Sequence, residues 1–164
     1  MMRVEDVATV PLFDRLVDAE KWTPRETKPL RAMDRAALRL SVANEVERLL
    51  NTRCSLTVEQ AVETAVEERT VLDYGIPDLA WLNPMSTEDS ALLIGVIRNA
   101  LLAYEPRLQN PRVLVMGLDA RQRSVLISIL GVLRIGRVEE PFSFACALDQ
   151  ASQAPVGVGD TYAA

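Results

Sequence analysis

The sequence predicts an α+β domain: helices packed on a small antiparallel C-terminal β-sheet. Three observations predict it. Apolar residues recur every three or four positions through residues 30–104, the spacing changes to every second position beyond Pro111, and Pro106 stands between the two regions where a helix must stop. A chain of 164 residues is the size of one ordinary domain, large enough to bury about two thirds of its unfolded surface. One core is therefore expected over residues 30–148, with an N-terminal docking arm over 1–29 and a flexible tail over 149–164.

The arm carries a compact apolar knot, Leu12, Phe13, Leu16 and Val17, spaced as one side of a short helix and followed by Trp22, Pro24 and Pro29. It reads as a docking segment or as a helix folded back on its own core, and both readings bury the same face. Through residues 30–50 the positions Leu30, Ala37, Leu38, Val42, Val46, Leu49 and Leu50 share one side of a helical wheel. Glu45 falls on that side between Leu38 and Leu49. A buried carboxylate without a partner is costly, so Glu45 is expected to meet an internal arginine, the alternative being a stripe open to a partner protein there.

Thr57 and Gln60 have the spacing of a capping box ahead of Val58, Ala61, Val62, Ala65 and Val66. That face is small and β-branched, so the helix is expected to be a lid on the core. Residues 73–78, with Gly75 and Pro77, form a rigid elbow. The core helix starts at Ser86 or Thr87, where Glu88 and Asp89 complement its dipole, and runs to Tyr104 with Leu93, Val96, Ile97, Ala100, Leu101 and Tyr104 inward. Three strands follow, over 112–116, 125–133 and 141–147, with a turn over 118–122. The middle strand is apolar on both faces, so at least one face needs a cover and the long helix supplies it.

The composition narrows the chemistry. Acids outnumber bases by 23 to 18, which argues against a general attraction to nucleic acid or anionic lipid. Histidine is absent, and with it the commonest general base and metal ligand. Cys54 and Cys146 are far apart with no CxxC spacing, so neither a metal nor a cofactor is expected and the thiols fit a reducing cytoplasm. No stretch is long and apolar enough for direct membrane insertion, and the protein is expected to stay inside the cell.

Five short strings stand in a fixed order: PLFDRL (11–16), LLNTR (49–53), DYGIPDL (73–79), EPRL (105–108) and EPFSF (140–144). Together they resemble the baseplate wedge subunit family shared by contractile phage tails and type VI secretion systems, which carries a historical lysozyme-like label, over residues 11–149. The type VI form fits best. The resemblance implies a sheet like the handshake domain of the sheath protein. It also implies a cytoplasmic structural role: joining other baseplate wedge subunits and starting polymerisation of the contractile sheath protein, in a baseplate that docks at the inner membrane through other proteins. Physics makes the last step reasonable, since a small sheet leaves edges that an incoming strand can extend.

Glu105 and Arg107 correspond to the family's E-P-R signature, which implies a charged contact to a wedge partner; the alternative is that Arg107 closes onto Glu45 or Glu105 within the chain. Arg53 is a further candidate partner for Glu45, or a solvated cation at a helix end. With Leu12, Phe13 and Leu16, these are the candidate partner-binding and ion-pair residues; none is assigned a catalytic role. Two other functions remain open. Glu105 and Asp73 could serve as the acid pair of a lysozyme-like peptidoglycan hydrolase, although acids are plentiful here and sugar-stacking aromatics few. A stand-alone adaptor would use the arm alone.

Overall fold

In the computed structural model the residues described are 8–9, 32–119, 124–135, 138–149 and 155–158. The knot of Leu12, Phe13 and Leu16 lies outside them. Short strands β1 (Ala8–Thr9) and β2 (Ala32–Met33) pair antiparallel in a two-residue ladder. Helix α1 (Arg35–Asn51) follows at once. It starts later than the periodicity suggests because the Asp34 carboxylate accepts the Ala37 N–H at 2.8 Å and sets the end there. Leu38, Val42, Val46, Leu49 and Leu50 are buried as the wheel requires.

The Thr57–Gln60 capping box forms in both directions, at 2.9 and 3.3 Å, and opens α2 (Val58–Glu63). Ala65 and Val66 are not part of it. An α-helix would need the carbonyls of Ala61 and Val62 for the next two N–H groups, but Asn99 Nδ2 donates to both, at 3.4 and 3.0 Å, and the Arg69 guanidinium also donates to Ala61. The chain continues instead as 3-10 turns at Val66–Glu68 and Val71–Asp73. Val58 and Ala61 are part of the core itself.

The elbow is pinned to the end of α1. Ile76 N–H donates to the Thr52 carbonyl at 2.9 Å and Cys54 N–H to the Ile76 carbonyl at 3.1 Å, a parallel bridge between Arg53 and Ile76. Gly75 has φ +114° and a Cβ there would stand 2.4 Å from the Thr52 oxygen. Helix α3 (Thr87–Tyr104) then crosses the domain with Leu93, Val96, Ile97, Ala100 and Leu101 buried. Tyr104 is half-buried; its ring meets Tyr74 edge-on at 5.2 Å and its hydroxyl donates to the Thr70 carbonyl at 2.7 Å.

The sheet runs β3 (Leu108–Asp119), β4 (Ser124–Ile135), β5 (Val138–Asp149) and β6 (Pro155–Val158), in that order and antiparallel throughout. The first three strands are longer than the alternation alone indicates. The fourth comes from the stretch read as a tail: Pro-Val-Gly-Val is too short for a periodic signal, and proline is tolerated at the first position of an edge strand. One sheet face carries Val113, Val125, Ile127, Ile129, Leu133, Phe142, Cys146 and Leu148 into the same core as the helices. The helices thus cover one of the two apolar faces.

Gly75→Ala should lower stability by about 1–3 kcal/mol, the range for a residue forced into a sparsely populated conformation, with the Thr52 clash adding to it. Urea unfolding measures this; an unchanged midpoint would show that the elbow is not rigid.

Candidate functional site

Where α3 passes into β3, the chain turns from helix to strand through Glu105, Pro106 and Arg107. Glu105 N–H closes the helix on Leu101 at 2.9 Å, and its carbonyl accepts Leu108 N–H at 3.1 Å. Its side chain is buried, with 3 % of the residue exposed. Arg107 answers it in bidentate fashion, Nε to Oε1 and Nη2 to Oε2, both at 2.6 Å, with the Arg107 N–H also donating to Oε1 at 3.2 Å. The third guanidinium nitrogen, Nη1, donates to Ser41 Oγ on α1 at 3.0 Å, and the Arg107 carbonyl accepts Arg134 N–H from β4 at 3.1 Å. A fork-to-fork pair supplies direction as well as strength. Of the two readings of Arg107, the geometry shows the closure onto Glu105 within the chain. Ser41 escaped the sequence reading; the available signal was a small hydroxyl between Leu38 and Val42 on the buried side of α1.

Glu45 meets an internal arginine, as expected, but neither of the two candidates. It lies at the border of the apolar stripe, with 27 % of its side chain exposed, and pairs with Arg48 on the same helix rather than with Arg107 or Arg53. A residue three positions along a helix is within reach without tertiary help. Arg53 donates to the Leu50 carbonyl at 3.3 Å; burial holds its pKa below the usual guanidinium value, opposed by the Asp78 charge. Asp73 caps the 3-10 turn by accepting Thr70 N–H at 3.0 Å and Thr70 Oγ1 at 2.9 Å, and those bonds, the backbone one first, hold its carboxyl below the ordinary range. Both acids of the hydrolase alternative are thus engaged in structural bonds. Among the described residues, no group of three His, Cys, Asp or Glu side chains could hold a metal ion.

The two borders of the sheet differ. On one side β6 covers residues 145–148 of β5, and Arg39 of α1 reaches Glu140 Oε1 at 3.2 Å and the Pro141 carbonyl at 3.0 Å. On the other side β3 has β4 as its one strand neighbour among the described residues. Its exposed side chains there are large and apolar: Leu114 is 45 % and Met116 67 % exposed. Leu126 on β4 adds to the same uncovered face, which the helices do not reach. Trp81 and Met85, also exposed, lie in the turn before α3. Among the described residues, no helix is long and apolar enough to cross a membrane.

Residues 36–137, more than half of the chain, match the family described as baseplate wedge protein gp25. The match runs from α1 through β4 and so contains the junction and the open strand. No curated protein and no solved structure matches the chain.

Arg107→Leu strands the Glu105 carboxylate in the interior and should cost about 3–5 kcal/mol, whereas Glu105→Leu combined with Arg107→Met should recover most of that loss. Denaturant titration separates them; a single-variant cost below about 1 kcal/mol would equate the pair with a surface ion pair. Burial pushes the Cys146 thiol up to about 12, so a thiol reagent at pH 8 should modify half-buried Cys54 and reach Cys146 only in denaturant. Rapid labelling of both in the native protein would contradict the packing of β5.

Proposed function

The chain belongs to the baseplate wedge protein gp25 family, and from that membership we infer that it is a structural component of a contractile injection baseplate, specifically the type VI secretion subunit TssE. In this reading it joins wedge subunits and offers the edge of its sheet as the template on which the contractile sheath begins to polymerise. It acts in the cytoplasm, in a baseplate held at the inner membrane by other proteins.

The observation that carries the reading is the asymmetry of the sheet. β3 is twelve residues long and, among the described residues, is flanked by a strand on one side. Each main-chain hydrogen bond gained there adds only about 0.5–1.5 kcal/mol net, so an incoming strand needs several bonds and side-chain burial together; Leu114, Met116 and Leu126 beside the edge supply the second. The engagement of Glu105 and Asp73 in structural bonds speaks for this role over hydrolysis of peptidoglycan. Glu105 and Arg107 then act in assembly by holding β3 where a partner meets it, with the exposed part of Arg107 left to touch a wedge subunit. The 1–29 arm, through Leu12, Phe13 and Leu16, is assigned to a neighbouring wedge subunit, and its Ala8–Thr9 ladder ties it to the start of α1.

Replacing Leu114 and Met116 together by lysine places charge along the edge without touching buried residues. The variant should keep its circular dichroism spectrum and melting temperature while losing co-purification with sheath and wedge proteins expressed from the neighbouring genes. Undiminished co-purification would show that the edge is not the contact. Purified protein should leave peptidoglycan intact, and clearing that disappears in Glu105→Gln would replace this reading with the enzymatic one.

A further inference from the structure

At the start of β3 the register against β4 slips between Gln109 and Arg112. Asn110 sits at φ +50° in the slip, a left-handed conformation that asparagine adopts more readily than most residues, and Pro111 follows it. Gly131 on β4 lets this bulge lie close: a Cβ there would stand 2.6 Å from Leu108 Cδ1 and 3.0 Å from the Gln109 oxygen. Bulges re-aim side chains, and this one borders a groove of about 530 Å³ lined by Arg98 of α3, Asn110, Pro111 and Arg112 of β3, and Leu130 and Val132 of β4. Arg98 and Arg112 are both exposed, and among the described residues neither guanidinium group forms a hydrogen bond or ion pair. They contrast with Arg39, Arg48 and Arg107, each of which has a carboxylate partner.

We infer that the groove between Arg98 and Arg112 docks an extended strand of a partner protein that carries carboxylates at alternate positions. The inference rests on the strand-pairing reading above and adds the chemistry of the incoming strand. Two guanidinium groups facing one groove in an acidic chain call for negative charge from outside, and the planar fork of arginine matches a carboxylate. Alternation in an extended strand puts every second side chain on one side, so successive carboxylates line up along the groove toward the arginines while the strand as a whole covers Leu130 and Val132. A free inorganic anion would leave that apolar lining wet. A second copy docking groove to groove would bring arginines against arginines.

The test uses two fluorescently labelled ten-residue peptides, one alternating glutamate with valine and one alternating lysine with valine, and reads anisotropy at pH 7.5. The full chain should bind the glutamate peptide, more weakly as salt rises, and prefer it over the lysine peptide at least tenfold. R98E/R112E should reverse that preference and R98Q/R112Q should abolish it, each with an unchanged circular dichroism spectrum. Equal binding of both peptides, full retention of the glutamate peptide by R98Q/R112Q, displacement by equimolar inorganic phosphate, or a dimer of the wild type that R98Q/R112Q dissolves would each overturn the assignment. The broader reading is judged apart from it, by co-purification of the Leu114 and Met116 lysine variant: sheath capture that is lost there but intact in R98Q/R112Q leaves strand pairing standing and removes the acidic strand.

Discussion

The Glu105–Arg107 pair is the constraint on which the arrangement of helices and sheet depends. Tyr104 is the last helical residue and Leu108 the first of the strand, so the change of direction is completed in three residues, one of them a proline with no N–H to give. Bringing a carboxylate inside at this point is tolerable only because its oxygens face Arg107 donors in fixed geometry. The same guanidinium reaches Ser41 on α1, and the Arg107 carbonyl receives an N–H from β4. The α3–β3 junction, α1 and β4 meet around one residue. A lysine, with a single ammonium, has no rigid fork with which to do this.

The position of β3 follows from that junction, and with it the difference between the two sheet borders. The strand starts at the pinned turn, so the angle at which its open edge faces outward is set by the end of α3. The far border is tied down separately by Arg39 on the Pro141 carbonyl and by the short β6. The elbow at Gly75 plays the matching part on the helical side, joining the end of α1 to the segment that leads into α3.

Local signals in the chain were legible where a single element could satisfy them. The Thr57–Gln60 capping box, the Gly75 turn and the inward side of α3 depend on residues within a few positions of one another, and each forms at its place. Interactions that cross the chain were not. The early end of α2 depends on Asn99 and Arg69 taking carbonyls that its own backbone would otherwise use, and nothing near Val62 in the sequence announces them. Glu45 had an arginine three residues away on its own helix, yet a helical wheel ranks positions by direction only and cannot show that a border residue stays partly wet.

By itself the sequence determined the order of the three helices and of the first three strands of the main sheet, their antiparallel pairing and the family, because spacing, caps and prolines act over short distances and the family's strings are written in order. Only the tertiary structure decided which acid Arg107 would hold, that a fourth strand lies along β5, and that Arg98 and Arg112 flank one groove. Those outcomes depend on distances between residues remote along the chain, and such distances exist only once the core has packed.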